Sequence, residues 1–326
     1  MCQRRAVGST RYDPEPVSGS PVRLVYLGTP EAAVPPLEAL VRAGHEVALV
    51  VTQPDRRRSR GAGSDPSPVR TAAEALGLPV RTPVKAREVI DDVRASGATL
   101  GVVVAFGQLL PVPFLEALPS GFVNVHFSLL PRWRGAAPVE RAMLAGDTET
   151  GVCVMQLEAG LDTGPVYASR TVQIGPRETA GELRERLVDA GTQLLVEQVP
   201  EIAFARPVPQ VGEPTYAEKL TVEEFRLDPT RPAVELDRIV RAGNPRPGAW
   251  LRVAGRRVKV WRARPGTDLD LDTASDRAPG CITAGAAIVT ASGALVLEEV
   301  QAEGKRAMAA SAWRTGVPAD ASIDTQ

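Results

Sequence analysis

The sequence has few residues from which a metal centre or a disulfide framework could be built. Its 326 residues include two histidines and three cysteines. Cys2, Cys153 and Cys281 are odd in number and widely spaced, which is typical of a reducing compartment and unlike a zinc site. We therefore expect a cytoplasmic protein that binds no metal.

Long apolar runs are also missing. No stretch reaches the roughly 20 residues that a membrane-spanning helix requires. Residues 1–21 contain arginines but no apolar segment of the kind that defines a secretory signal. We expect no membrane association, and we predict that residues 1–21 form a disordered extension.

Neither sign of charge is in excess. The 38 Lys and Arg residues oppose 39 Asp and Glu residues, and the formal net charge is -1, which argues against a protein that coats nucleic acid without selectivity. One segment departs from this balance. Between Arg231 and Arg264 there are ten Arg or Lys residues against two acidic ones, Glu235 and Asp237, so a local phosphate-binding surface remains compatible with the sequence.

From Val22 onward, strand and helix patterns alternate. Strands are predicted at 22–28, 46–52, 78–83, 99–107 and 121–127, and helices at 35–44, 67–77, 86–97, 137–146 and about 179–204. This alternation predicts an α/β fold with a Rossmann-like, doubly wound parallel sheet, in which ligands bind beyond the carboxyl ends of the strands. The first loop, GTPEAA, lacks the glycine pattern of a dinucleotide site, which argues against an oxidoreductase.

The composition changes after residue 206. Closely spaced prolines predict an extended linker over residues 207–225. Beyond it, apolar and basic residues alternate between glycine turns, a pattern that predicts a small OB-like β-barrel. The sequence therefore indicates a first domain over residues 22–206 and a second, the barrel, over residues 226–318.

Asn124 and His126 are candidates for chemistry. They stand two residues apart at the end of a predicted strand, so their side chains project to the same face of the sheet. An amide can donate to a carbonyl oxygen that gains charge, and an imidazole can transfer protons near neutral pH. Asp162, between Gly160 and Gly164, could orient that imidazole if the fold brings the two together. Taken alone, the same residues also fit a strand-end histidine bound by backbone and an aspartate that shapes a turn.

A longer segment, VNVHFSLLPRWRGAAPVERAMLAGDTETGVCVMQLEAGLDTGPVY, resembles the signature region of the folate-dependent formyltransferases. Their pattern places Asn-x-His before Ser-Leu-Leu-Pro and an aspartate within Gly-Leu-Asp-Thr-Gly; here these are Asn124, His126, residues 128–131 and Asp162. Residues 238–250 and 297–316 are similar to the C-terminal domain of the members that act on tRNA. The resemblance implies transfer of a formyl group from 10-formyltetrahydrofolate to the α-amino group of methionyl initiator tRNA.

The resemblance also implies roles for individual residues. Asn124, His126 and Asp162 would be catalytic, the first two as stabilisers of an oxyanion and the third as partner of the imidazole and proton acceptor. The folate-binding residues would be Phe106, Gly107, Ser128, Leu129, Leu130 and Pro131. Arg57, Arg58 and Arg60, in an arginine-dense loop, would bind the acceptor end of tRNA, and the barrel domain would bind tRNA as well. We expect a monomer.

Two alternatives stay open. A related formyltransferase, or a 10-formyltetrahydrofolate hydrolase, would use the same three residues on a different acceptor. A non-catalytic tRNA- or folate-binding protein could retain the scaffold without turnover. The intact Asn124, His126 and Asp162 and the basic C-terminal segment favour the enzyme that acts on tRNA.

Overall fold

The computed structural model describes residues 20–57, 64–267 and 278–324. The chain divides into two compact units, each built from three segments. The first consists of Met1–Pro131, Gly151–Thr171 and Glu185–Glu213, and the second of Arg132–Thr150, Val172–Arg184 and Pro214–Gln326. Residues 1–19 of the predicted extension lie outside the described residues, and the domain boundaries predicted from the sequence stay predictions.

Ten strands occur among the described residues up to Gln173. They are β1 (Arg23–Gly28), β2 (Glu46–Val51), β3 (Arg56–Arg57), β4 (Ser64–Asp65), β5 (Val80–Arg81), β6 (Leu100–Val104), β7 (Phe122–His126), β8 (Arg134–Gly135), β9 (Glu149–Gln156) and β10 (Val166–Gln173). Seven of them form one sheet in the order β10-β9-β7-β6-β1-β2-β5. β1 pairs in parallel with both β2 and β6. β2 and β5 lie on one side of β1, and β6 and β7 lie on the other, so the strand order reverses at β1. Such a reversal is typical of Rossmann-like sheets, and the predicted Rossmann-like α/β architecture is confirmed.

The predicted parallel pairing is confirmed for β1, β2, β5, β6 and β7, but β9 pairs antiparallel with β7. β9 and β10 extend the sheet at this edge, and neither was predicted as a strand. A strand buried on both faces shows the same nearly continuous apolar run in either direction. The sequence of β9 therefore carries little information about its orientation, which depends on the path of the chain around it.

Burial on both faces explains why the central strands form. Leu24, Val25 and Leu27 of β1 are each 0% exposed, and full burial of such a side chain stabilises the fold by about 2 kcal/mol. Gly101 of β6 allows the Phe122 ring of β7 to pack directly on the backbone, since a methyl group at this position would overlap that ring.

Eight α-helices occur in the described part of the chain. They are α1 (Val34–Arg42), α2 (Pro68–Ala75), α3 (Ile90–Ala95), α4 (Val112–Leu115), α5 (Pro138–Ala145), α6 (Ala180–Gln198), α7 (Ala233–Gly243) and α8 (Ala310–Arg314). At the start of α2 the Ser67 hydroxyl accepts a hydrogen bond from the Arg70 amide over 3.0 Å, as expected of an N-cap. α6 ends at Gln198, before the predicted end near residue 204. None of the helices in the described residues is both long enough and apolar enough to cross a membrane.

The C-terminal part of the chain contains a separate antiparallel sheet. Its strands are β12 (Ala249–Val253), β13 (Arg256–Pro265), β14 (Ala287–Val289), β15 (Ala294–Ala302) and β16 (Met308–Ala309), while β11 (Tyr216–Ala217) pairs with β8. The order is β12-β13-β15-β14, with β16 added to β15. Along β13, Val258 and Val260 are buried, whereas Arg256 and Arg262 are exposed. This alternation is the reason that apolar and basic residues alternate in the sequence.

Candidate active site

The loops that follow β1, β2 and β6 meet at one backbone carbonyl. Thr29 Oγ1 donates a hydrogen bond to the Phe106 carbonyl oxygen over 3.1 Å, and Gln53 Nε2 donates to the same oxygen over 2.8 Å. Phe106 is buried, and Gly107 follows it with φ of 79°. A Cβ on Gly107 would lie 2.6 Å from Gln53 Nε2. Phe106 and Gly107, both predicted to bind folate, thus lie at the point where the strand order reverses. The positive φ and the close Gln53 side chain both favour glycine at position 107.

Asn124 and His126 lie at the carboxyl end of β7. Asn124 pairs with Val103 of β6 and Met155 of β9, and His126 pairs with Cys153. Because successive side chains on a strand alternate, the amide and the imidazole project to one face of the sheet, as predicted. His126 is 5% exposed, and Asn124 is half-buried. Water therefore has restricted access to the ring.

Asp162 lies in the turn between β9 and β10. Its Oδ2 atom is 3.7 Å from Nδ1 of His126, with the two side chains 12% and 6% exposed. This distance exceeds that of a hydrogen bond, but it places the carboxylate directly beside the imidazole ring. The fold brings together two residues that are distant in the sequence, on the face that also carries Asn124.

The backbone of Asp162 has an unusual conformation. Its φ of 50° is in the left-handed region, which non-glycine residues seldom occupy. Gln210, from the segment after α6, donates through Nε2 to the carbonyl oxygens of Asp162 and Gly164, both over 2.8 Å. A side-chain amide from a distant segment thus binds the turn that carries the carboxylate.

The Ser-Leu-Leu-Pro segment follows β7 directly. Ser128 is fully buried, and Leu129, Leu130 and Pro131 are half-buried. Leu129 and Leu130 line a cavity of about 380 Å³. Cys153, Tyr167, Val208 and Gln210 also line it. The predicted folate segment therefore borders a mainly apolar cavity next to the strand that carries His126, and such cavities commonly hold small ligands.

The thiol in this cavity is kept neutral by its surroundings. Burial raises the pKa of Cys153 to about 11, and a hydrogen bond with the Leu130 backbone offsets part of that rise. Because only a thiolate is a good nucleophile or metal ligand, Cys153 acts as an apolar wall near neutral pH. Within residues 20–57, 64–267 and 278–324, no group of three or more His, Cys, Asp or Glu residues is arranged to hold a metal ion.

Two of the three arginines predicted to bind tRNA, Arg58 and Arg60, lie outside the described residues. Arg57 belongs to β3, which pairs antiparallel with β4, Arg57 opposite Ser64. This pairing brings together the two ends of the arginine-dense loop. The role of all three arginines stays a prediction.

Sequence analysis missed Thr29, Gln53 and Gln210. Each donates a side-chain hydrogen bond to a backbone carbonyl that is at least 46 residues away in the sequence. A carbonyl acceptor exists at every residue, so no residue type at any spacing marks such a contact in advance.

Comparison with known proteins identifies the class. The chain matches the family model of the formyl transferases over residues 22–199 and that of the formyl transferase C-terminal domain over residues 219–318. These two matches cover most of the sequence. The chain therefore belongs to the formyl transferase family.

Within this family, named relatives are similar over nearly the whole chain. The methionyl-tRNA formyltransferase of Dinoroseobacter shibae is 47% identical over 307 residues, which covers 93% of this chain and 100% of that protein. The methionyl-tRNA formyltransferase of Paracoccus denitrificans is 46% identical over 293 residues, covering 89% of this chain and 96% of that protein. The family resemblance seen in the sequence, including that to the tRNA-directed members, is confirmed.

A solved structure has the same fold at lower identity. HypX from Aquifex aeolicus, crystallised in complex with tetrahydrofolic acid, is 16% identical with a TM-score of 0.62. The alignment covers 90% of this chain and 47% of HypX, so this chain spans about half of that protein's length. At this identity the similarity concerns the fold.

Proposed function

We propose that this chain transfers the formyl group of 10-formyltetrahydrofolate to the α-amino group of methionine esterified to initiator tRNA, and so supplies formylmethionyl-tRNA for translation initiation. Its membership of the formyl transferase family and its 46–47% identity to methionyl-tRNA formyltransferases support this reaction. For the site, the observation that carries the proposal is the 3.7 Å distance between His126 Nδ1 and Asp162 Oδ2.

The proposed chemistry is an acyl transfer without a covalent enzyme intermediate. The neutral amine attacks the formyl carbon, a C–N bond forms, and the formyl oxygen becomes an oxyanion. Asn124 donates a hydrogen bond to this oxygen, and His126 helps to stabilise it. Asp162 orients the imidazole and accepts the amine proton, directly or through water. The bond from carbon to N10 of the folate then breaks, and N10 takes up a proton.

The distance between His126 and Asp162 suits this role once substrates bind. Hydrogen bonds in free active sites are often long and tighten in the complex with substrate. Phe106, Gly107 and residues 128–131 are proposed to bind the folate, the leucines by packing on the flat pterin and the backbone by directional hydrogen bonds. Proton transfers and carbonyl addition are steps that protein side chains can supply without a metal.

We also propose that the C-terminal sheet closes as an OB-like barrel and binds tRNA. Isolated β-bridges support closure between the edge strands β12 and β14. Val253 of β12 pairs with Ile323, and the adjacent Ser322 pairs with Cys281. Ile282, next to Cys281, pairs in turn with Ile288 of β14. A closed barrel with exposed arginines on β12 and β13 can follow a phosphate backbone. Arg57, Arg58 and Arg60 are proposed to add contacts at the acceptor end. The reaction and the cysteine usage suit a cytoplasmic protein, and we propose that it acts as a monomer.

Replacement of the three catalytic candidates tests the mechanism. Asn124→Ala, His126→Ala and Asp162→Asn should each lower the single-turnover formylation rate by about 10²- to 10⁴-fold, because each removes a proton transfer or a hydrogen bond to developing charge. Asp91→Asn is a matched control, since its side chain is 98% exposed. A rate close to that of the unmodified protein in His126→Ala or Asp162→Asn would remove these residues from the mechanism.

An acceptor screen tests the substrate. Formylation should occur with methionyl initiator tRNA and should be far slower with a sugar amine or a ribonucleotide amine. Release of formate without any acceptor would instead identify a 10-formyltetrahydrofolate hydrolase. Folate or tRNA binding without turnover would identify a non-catalytic binding protein.

A further inference from the structure

The segment after α6 is tied to the sheet near the candidate active site. The backbone amide of Val166 donates to the Val208 carbonyl, and that of Val208 donates to the Val166 carbonyl, each over 2.8 Å. Val166 is the first residue of β10, immediately after the turn that carries Asp162. This reciprocal pair fixes the backbone two residues before Gln210.

Gln210 uses both protons of its side-chain amide on the Asp162 turn. Nε2 donates to the carbonyl oxygens of Asp162 and Gly164, each over 2.8 Å. One planar NH₂ group binds two carbonyls only when both oxygens point toward it. The contact therefore requires a particular backbone conformation of the turn between these two residues.

That conformation is one that the turn would not favour by itself. Asp162 has φ of 50°, a region in which a side chain crowds the backbone carbonyl. Gly164 is enclosed, because a Cβ there would overlap the Gln156 carbonyl. The backbone amide of Gln156 also donates to the Pro165 carbonyl over 2.9 Å. The turn is thus held by β9 on one side and by Gln210 on the other.

We propose that Gln210 is a positioning residue that acts through Asp162. Its two hydrogen bonds hold the backbone of Asp162 in the left-handed conformation, and this conformation sets the direction of the carboxylate toward His126. Without them the residue relaxes toward a common φ, and the carboxylate turns away from the ring. The inference rests on the proposed function of Asp162 and extends the site to a segment that the sequence presents as a linker.

Substitution of Gln210 tests this role. Gln210→Met keeps the length of the side chain but has no donor, and Gln210→Glu keeps the shape but offers acceptors in place of the NH₂ group. Each should lower the single-turnover rate by about 10- to 100-fold, as expected when a reacting group is misplaced by about 1 Å. The KM for tRNA should change by less than about threefold, and the thermal midpoint should stay near that of the unmodified protein. Glu213→Gln, an exposed position in the same segment, should leave the rate unchanged.

A double-mutant cycle separates a positioning role from a merely structural one. If Gln210 acts through Asp162, Gln210→Met should have little further effect on the rate in the Asp162→Asn background. The inference would be overturned if Gln210→Met lowered the single-turnover rate by the same factor in the unmodified protein and in Asp162→Asn. It would also be overturned if Gln210→Met by itself left the rate unchanged.

Hydrogen exchange gives a readout that does not depend on activity. Backbone amides of residues 160–164 should exchange faster in Gln210→Met than in Glu213→Gln. If exchange in the turn is unchanged, Gln210 does not hold it. If exchange rises while Asp162→Asn retains full activity, Gln210 still positions the turn, and it is the proposed role of Asp162 that fails.

Discussion

Cys153 illustrates how the surroundings of a single residue determine its chemistry. It lies opposite His126 on the neighbouring strand, within the cavity bordered by Leu129 and Leu130. A thiol beside a histidine is often a nucleophile, because a nearby positive charge stabilises the thiolate. Here burial dominates and raises the pKa of Cys153 to about 11. Cys153 therefore shapes the cavity and takes no part in the proposed proton transfers.

Alkylation checks this conclusion. In the folded protein, modification of Cys153 by iodoacetamide should be slow at pH 8 and should rise with pH along a curve centred near 11, the pKa of the buried thiol. Urea-unfolded protein, in which the thiol has its ordinary pKa, should react at pH 8 within minutes. Peptide mass spectrometry measures both rates. Fast labelling of the folded protein at pH 8 would mean that the thiol is accessible and ionised.

At the scale of elements, α8 is anchored by one buried side chain. Arg314 is 8% exposed. Its Nε atom donates to the Thr283 carbonyl over 2.8 Å, and Nη1 donates to the carbonyls of Val317 and Pro318 over 2.7 and 3.1 Å. A planar guanidinium with five donors can bind carbonyls from several segments at once, which a lysine cannot do in the same geometry. Arg314 thus ties α8 to the segment before β14 and to the chain that follows the helix.

Removal of this side chain should destabilise the protein measurably. We expect Arg314→Met to lower the free energy of unfolding by about 3 kcal/mol, since several buried or partly buried carbonyls lose a donor. Arg314→Lys should recover only part of the loss. Urea denaturation measures the change. Arg306→Met, at an exposed position, is the control, with an expected change within about 0.5 kcal/mol. Equal stabilities for the variants at 314 and 306 would show that the carbonyl contacts contribute little.

For the whole molecule, the distribution of charge bears more on the binding of a polyanion than the net charge does. The net charge is -1, yet ten basic residues lie between Arg231 and Arg264. Some of them are neutralised locally: Arg262 forms an ion pair with Glu182 over 3.0 Å. Arg252 and Arg256, on β12 and β13, are exposed. A net charge near zero keeps the nonspecific attraction to polyanions small. The basic face formed by Arg252 and Arg256 can still bind one polyanion.

The proposed tRNA contacts should respond to salt. The affinity for tRNA should fall steeply as the salt concentration rises, because each phosphate that the protein neutralises releases counterions. The double substitution Arg252→Ala and Arg256→Ala removes two such contacts, and it should reduce the slope of log K against log salt concentration by about 1.5. Binding titrations at several salt concentrations measure this slope. The folate affinity should not change. A flat response of tRNA binding to salt would rule out this basic face as the tRNA-binding surface.

The sequence by itself determined the class of fold, the strand that carries Asn124 and His126, and the candidates Asn124, His126 and Asp162, because periodicity and residue type are local properties that chemistry restricts. Only the tertiary structure decided that β9 runs antiparallel and that the His126 ring and the Asp162 carboxylate are 3.7 Å apart. It also decided that Gln210 donates to the carbonyl oxygens of Asp162 and Gly164. The physical reason is that such contacts join a side chain to a distant partner, often a carbonyl that every residue possesses. Which partner is met depends on the path of the folded chain rather than on any local pattern.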